Sequence, residues 1–209
     1  MTHNKVFIQQ EVLIDGLPII FEGPLNAEAL HKLNFHFGLC AFRPANQQKQ
    51  ALIQIASLDE GRIYVARIKE MVIGYVTFHY ADPLERWSEI HNPHILELGA
   101  IEVAKEYRAL KIASNILKIA FKDSSMDNYL IFTTGYYWHW DLPNTNLDVW
   151  SYRKIMEHLL NKADFICMAT DDPEVCSHPA NCLMVRVGRK VPHEAIDGFE
   201  QVRFQSRWS

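Results

Sequence analysis

The spacing of apolar and polar positions divides the chain into short strands and amphipathic helices. VFIQQEVLIDGLPIIFEGP (6–24) holds two apolar runs around Asp15-Gly16, a dipeptide that accepts the positive φ angles of a tight turn, and so predicts a hairpin. In LNAEALHKLNF (25–35), Asn26 stands where a short helix would be capped, with Glu28 in its dipole-favoured first turn. After Pro44, ANQQKQALIQIASL (45–58) predicts a second helix with Leu52, Ile53, Ile55 and Ala56 as its apolar stripe. RIYVARIKEMVIGYVTFHYA (62–81), rich in β-branched and aromatic residues, predicts two strands joined near Lys69-Glu70. ADPLERWSEIHNPH (81–94) is polar with two prolines, so a loop with one helical turn is expected.

The second half repeats this alternation. ILELGAIEVA (95–104) predicts a strand with a glycine inside, followed by a helix that places Ile112, Ile116, Leu117, Ile119, Ala120 and Phe121 at helical spacing. NYLIFTTG (128–135) is a short, dense strand, and YYWHWDLPNTN (136–146) is too long for a simple turn. LDVWSYRKIMEHLLNKA (147–163) predicts a helix with Asn146 or Asp148 as its cap. DFICMAT and NCLMVRVG are the expected last strands, separated by the loop DDPEVCSHPA (171–180). PHEAIDGFEQVRF (192–204) has helical spacing with a glycine interruption. No internal repeat, low-complexity run or linker divides the chain. The expectation is one α/β (α+β) domain over 1–209, with a hairpin at 1–24 and a helical extension at 191–209.

Composition narrows the class without reaching the chemistry. The 209 residues are 48% hydrophobic and 22% charged, which suits a folded globular chain. A net charge of −4 argues against nucleic acid as a partner, because neutralising phosphates takes a surplus of Lys and Arg. No apolar run approaches the roughly 20 residues of a membrane span, and MTHNKVFIQQ lacks the order of a secretory signal, so a cytoplasmic protein is expected. Four cysteines are too few for a disulfide framework. Cys176 and Cys182 bracket His178 in CSHPANC, but the spacing matches no zinc element, and no metal is expected.

The stretch with candidate chemistry is LELGAIEVAKEYRALKIASNILKIA (96–120), where a strand ends near Val103 and a helix opens between Leu110 and Ala113. A helix start exposes unpaired N–H groups and the positive end of a dipole, and Arg108 and Lys111 add formal charge there. A phosphate or pyrophosphate cradle is one reading. An ordinary βα crossover with a solvated basic turn is the other, and is the commoner arrangement.

Val103 followed by Tyr107-Arg108-Ala109-Leu110-Lys111-Ile112-Ala113 resembles motif A of the GNAT acetyltransferases, Q/R-x-x-G-x-G/A after a strand. FEGP, AFRP, DPLERWSE, ELGAIEVA, YYWHWDL, YRKIME and SHPANCLM, in this order, are similar to one branch of that family over nearly the full length. The resemblance implies a mixed central sheet of about seven strands flanked by helices, with the N-terminal hairpin as an addition. It implies acetyl-CoA as co-substrate, held by the backbone of Ile101 and Val103 and by the turn Arg108, Ala109, Leu110, Lys111, Ile112, Ala113 and Ser114. It also implies a protein lysine as acceptor, on AMP-forming acetyl-CoA synthetase, which acetylation of its active-site lysine switches off in the control of acetoin and acetate metabolism. A GNAT enzyme acting on a small amine, or a non-catalytic acyl-CoA or partner binder, are the alternatives.

Two places depart from the family pattern. Lys111 stands where motif A has its first glycine; a lysine in right-handed helical conformation would still present its amide there. Leu160 and Asp164 replace a tyrosine and a glycine, so the usual acid for the thiolate is absent from its place, leaving Tyr136, Tyr137 and Tyr152 as candidates. A lysine amine is neutral in only about one copy in 2,500 at pH 7, so transfer to it needs a proton acceptor. Glu97, eleven residues before Arg108, matches the family's spacing for the general base; Glu102 lies nearer to where the thioester is expected. An odd separation puts the two on opposite strand faces unless a bulge intervenes. Ile101 and Val103 are the expected oxyanion donors, and His178 is a further candidate for base, acid or docking contact.

Overall fold

The computed structural model describes residues 2–205. Met1 and the last four residues of the expected 191–209 extension lie outside them. In chain order the elements are β1 (Ile8–Ile14), β2 (Leu17–Gly23), α1 (Ala27–Lys32), β3 (Asn34–Phe35), α2 (Ala45–Ala56), β4 (Arg62–Ile68), β5 (Met71–His79), β6 (Ile95–Val103), α3 (Ile112–Ala120) and β7 (Leu130–Gly135). There follow α4 (Leu142–Thr145), α5 (Val149–Asn161), β8 (Ile166–Met168), α6 (Pro173–Cys176), β9 (Cys182–Val187) and α7 (His193–Arg203). They form two compact units: residues up to His79 with Leu98–Met126, and Tyr80–Glu97 with the residues from Asp127 on. Strand β6 contributes to both. Among the described residues no helix is long and apolar enough to cross a membrane.

In the first unit the strand order is β1-β2-β4-β5-β6, with β3 parallel on β5. Asp15 and Gly16, at φ 49° and 79°, make the expected tight turn, and β2 then pairs antiparallel with β4, so the hairpin extends the sheet. The short β3 was not foreseen; two residues leave no period to read. Asn26 caps α1 by accepting the Ala29 N–H at 2.8 Å. Leu30, Leu52 and Ile53 of α1 and α2 pack with Ile63, Val65, Val72 and Tyr75. Alternation sends Tyr64 to the opposite face of β4, where it meets Phe78 edge-on at 6.0 Å, and Phe78 meets Phe121 beyond the end of α3 at 5.8 Å. Each fully buried aliphatic side chain in these layers contributes about 1.5–3 kcal/mol. The glycine inside β6 has a steric reason: a Cβ at Gly99 would lie 2.2 Å from His79 Nε2.

In the second unit the order is β6-β7-β9-β8. The parallel β6–β7 ladder comprises three pairs, from Ile95–Leu130 to Glu97–Phe132, and β9 pairs antiparallel with both β7 and β8. Its core stacks Trp87 on Phe132 at 5.1 Å and on Phe199 of α7 at 5.6 Å. The Trp87 loop takes the single expected turn, a 3₁₀ segment over Arg86–Ile90. Asp148, rather than Asn146, caps α5, accepting from Trp150 and Ser151 N–H. Helix α7 runs through Gly198 without a break. The four-residue α6 inside the expected loop was not foreseen; Asp172 caps it from Glu174 and Val175 N–H.

Candidate active site

In the first unit β6 ends in a 3₁₀ turn over Lys105–Leu110, and α3 opens directly after Lys111. The first helical hydrogen bond runs from Asn115 N–H to Lys111 O at 3.1 Å, which leaves the N–H groups of Ile112, Ala113 and Ser114 ahead of the helix. Three forward amides, a helix dipole, the exposed Lys111 and the half-buried Arg108 form a donor set that suits a pyrophosphate. Arg108 Nε donates to Val103 O at 3.2 Å, tying the turn to the strand end. Ala109 is exposed and Leu110 half-buried; in a turn of this kind their backbones, not their side chains, are the usable part. Lys111 is not right-handed as expected. At φ 56°, ψ 27° it takes the left-handed conformation that glycine favours. Asp164 does the same after α5, at φ 64°. Both departures from the family's glycines therefore keep a glycine-like backbone, at a cost of about 1–2 kcal/mol for an ordinary L-residue and less for an aspartate. Leu160, in the tyrosine's place, is buried packing.

Glu102, also in the first unit, is buried, and both of its oxygens are engaged. Oε1 accepts the Ala41 N–H at 2.7 Å and Oε2 accepts the Tyr75 hydroxyl at 2.6 Å. Burial, then the Glu102 carboxylate, hold the Tyr75 hydroxyl far above the usual phenol range, so it remains a donor to that carboxylate. Ile101 is half-buried beside it, and Val103 is buried at the strand's end.

Glu97 belongs to the second unit and has different surroundings. It is 8% exposed, opposite Phe132 on β7. Burial first, then the charges of Glu85 and Asp82, push its carboxyl up to about 8, and no hydrogen bond opposes the rise. Glu85 is likewise raised, by burial and then by Asp82, Glu174 and Asp172. Tyr136 is buried and raised, by burial above all, although a hydrogen bond with Thr134 opposes it.

His178 and the aromatic segment lie in the same unit. The His178 Nδ1 accepts the Ala180 N–H at 3.1 Å, which leaves Nε2 as the protonated nitrogen of a neutral ring. Its ring lies 4.3 Å from Tyr137 and 6.4 Å from Trp150, while Tyr136 stacks on Trp138 at 4.7 Å and Tyr152 on Trp140 at 5.3 Å. Asn181 Oδ1 accepts the Tyr137 N–H at 3.0 Å, and Arg153 holds the turn through Pro179 O at 2.8 Å and Asn181 O at 3.0 Å. The Tyr137–His178 pair is therefore braced by two residues that sequence reasoning passed over. A cavity of about 540 Å³ beneath Tyr80–Ile95 contains none of the candidate residues.

Three further omissions concern the glutamates. Tyr75 reads as an ordinary core position of a strand, Ala41 contributes only its backbone, and Glu85 is one charge in a polar loop. The signal for Glu85 was its place inside the quoted DPLERWSE, where the neighbouring Trp87 is a buried anchor.

A model described as the acetyltransferase (GNAT) family matches residues 28–129. The acetoin utilization protein AcuA of Bacillus licheniformis is 47% identical over 208 residues, covering 100% of this chain and 99% of that protein. The crystal structure of an acetoin utilization protein from Exiguobacterium sibiricum 255-15 matches with a TM-score of 0.95 at 47% identity, covering 98% of this chain and 97% of that one. Diaminobutyrate acetyltransferase EctA from Paenibacillus lautus, in complex with L-2,4-diaminobutyric acid and coenzyme A, gives a TM-score of 0.52 over 83% of this chain and 97% of that one. At 13% identity that likeness is one of fold alone. With the strand, the turn and the forward amides of α3 in place, and relatives this similar along the full length, the chain belongs to the GNAT family of acetyltransferases.

Proposed function

We propose that this enzyme is a single-domain, acetyl-CoA-dependent protein lysine N-acetyltransferase that works by direct transfer, with Glu97 as the proton acceptor. The observation that carries the reading is the state of Glu97: buried, without a hydrogen bond among the described residues, and raised to about 8. A base with a pKa near the working pH combines a usable ionised fraction with real affinity for a proton. Glu102 has both oxygens committed to Tyr75 and Ala41, which suits a brace between β6 and the segment before α2.

Acetyl-CoA, when bound, supplies the thioester carbonyl and a thiol leaving group. The amides of Ile112, Ala113 and Ser114, with Arg108 and Lys111, are the groups assigned to its pyrophosphate. The N–H groups of Ile101 and Val103 are the donors assigned to the carbonyl oxygen, on the part of β6 beyond its three-pair ladder with β7. Glu97 takes a proton from the attacking nitrogen. The Tyr137–His178 pair and the half-exposed Trp138 and Trp150 form an aromatic surface for an acceptor protein. Tyr136, held protonated by burial, is the tyrosine assigned to return a proton to the thiolate.

The full-length relatives named for acetoin utilization support a role in that process. The reading assigns the enzyme to acetoin and acetate metabolism in the cytoplasm, with AMP-forming acetyl-CoA synthetase, which the branch resemblance implies, as the acceptor. Incubation with labelled acetyl-CoA and that synthetase, followed by location of acetyl-lysine by mass, tests this. Label on one active-site lysine with loss of synthetase activity is expected. Label on polyamines with none on the synthetase would transfer the reading to a small amine.

A further inference from the structure

Glu97 is not alone in lacking a counter-ion. The turn before it is fixed by Glu85 N–H donating to Asp82 O at 2.9 Å and by Ser88 N–H and Oγ donating to Glu85 O at 3.0 and 2.7 Å. This holds the Glu85 backbone, and its side chain is half-buried. Glu85 Oε2 is buried without a hydrogen-bond partner. The adjacent cation is committed elsewhere: Arg86 Nη2 lies 2.6 Å from Asp171 Oδ1 and 2.5 Å from Val202 O, and its Nε lies 3.9 Å from Asp172. Phe132, the register partner of Glu97 on β7, packs against Trp87 at 5.1 Å, so Glu97 and the Glu85–Trp87 turn lie on one face of the sheet. Glu85 is the foremost charge raising Glu97, and no cation among the described residues offsets either group. A buried carboxyl beside a half-buried one whose Oε2 has no partner, and with no cation, is costly unless protonated or paired with a cation from outside.

Resting on the reading of Glu97 as the base, we propose that Glu85 is the second carboxyl of the acceptor site. Glu85 and Glu97 together receive the acceptor's primary ammonium, Glu85 as its counter-ion and Glu97 as the acceptor of its proton. Entry of the ammonium favours ionised Glu97, which sheds its own proton to solvent. That carboxylate then takes one N–H proton, and the freed nitrogen pair forms the bond to the acetyl carbon as the carbon–sulfur bond breaks. The CoA thiolate leaves and is protonated through Tyr136 as the nitrogen gives up its second proton. The site thereby selects primary ammonium groups against alcohols of the same shape. The charges acting on the pair are Asp82 of the same loop on both carboxyls and, on Glu85, Asp172, the cap of α6, and Glu174 in its first turn; all are acidic, and burial keeps Tyr136 protonated.

The test uses n-butylammonium, the length of a lysine side chain, and 1-butanol as its neutral match. The Glu97 carboxyl is followed by carbon NMR in the full chain, with Glu97→Gln for assignment. In the unsubstituted protein butylammonium should lower the midpoint near 8 by about a unit, and butanol should leave it unchanged. Glu85→Gln should lower the midpoint by itself and weaken butylammonium about tenfold or more, with Glu85→Asp in between. In turnover it should raise KM for the amine while leaving KM for acetyl-CoA unchanged. Equal responses to butylammonium and butanol in the unsubstituted protein overturn the proposal. So does Glu85→Gln with undiminished butylammonium affinity while Glu97→Gln is inactive. Full turnover in Glu97→Gln would instead remove the base reading on which the proposal rests.

Discussion

Glu97 and Glu102 lie five positions apart on one strand, and both are buried, yet they illustrate opposite ways of keeping a carboxyl out of water. Glu102 accepts two short hydrogen bonds, so its ionised form is satisfied and its position fixed. Glu97 has no such donor and two negative neighbours, so its proton is held to about pH 8. In the proposed reading the satisfied carboxylate braces and the unsatisfied one exchanges protons. Burial alone would have ranked the two equally, and it is the donors around each that distinguish them.

The largest expected effect breaks or upholds this contrast directly. Glu97→Gln should lower kcat by about 10²–10⁴-fold while acetyl-CoA affinity by calorimetry stays unchanged. A tenfold loss or less, beside a larger loss in a folded Glu102→Gln, would reverse the two assignments.

Acidity sharpens it next. The base must be ionised, so kcat/KM should rise about tenfold per pH unit up to near 8 and then level, a rise that Glu97→Gln abolishes. Stability has the opposite sign. Between the unfolded value of 4.5 and about 8 the folded chain binds the extra proton, so Glu97 costs stability increasingly as pH rises through that window. Denaturation at pH 9 should find Glu97→Gln more stable than the unsubstituted protein by on the order of a few kcal/mol, and at pH 4 nearly equal to it.

The bracing glutamate should give a smaller, purely structural effect. Glu102→Gln sets amide hydrogens against the Tyr75 hydroxyl or the Ala41 N–H, and should destabilise by about 1–3 kcal/mol in a denaturant titration. Tyr75→Phe should fall in the same range, and the double variant should cost less than the sum, because one hydrogen bond is shared. The smallest effect lies at the turn. If the left-handed backbone at Lys111 is required, Lys111→Gly should be more stable than Lys111→Ala by about 1 kcal/mol, the reverse of the order inside a regular helix.

Much of the fold was legible because it depends on local rules. Asp15-Gly16 announced its turn, Asn26 its cap, and the apolar period of β4, β5 and α3 their buried faces. What escaped was too short for a period, as with β3 and α6, or made between elements distant in sequence. Lys111 is instructive: the sequence marked it as a misfit, and only the backbone showed that it occupies the glycine conformation. The aromatic segment was legible as a cluster, but its bracing by Arg153 and Asn181 depends on carbonyls that no side-chain pattern encodes.

The sequence by itself determined the order of elements, the basic turn at the head of α3, the family and the two glutamates worth weighing. These follow from nearest-neighbour sterics, periodicity and the identity of a few side chains, all of which are local. Tertiary structure decided which glutamate is held by two donors and which is not. That distinction depends on a tyrosine twenty-seven residues before Glu102, a backbone amide sixty-one residues before it, and a loop carboxyl twelve residues before Glu97. Proton affinity is set by what surrounds a carboxyl in space, and chain spacing carries no record of that.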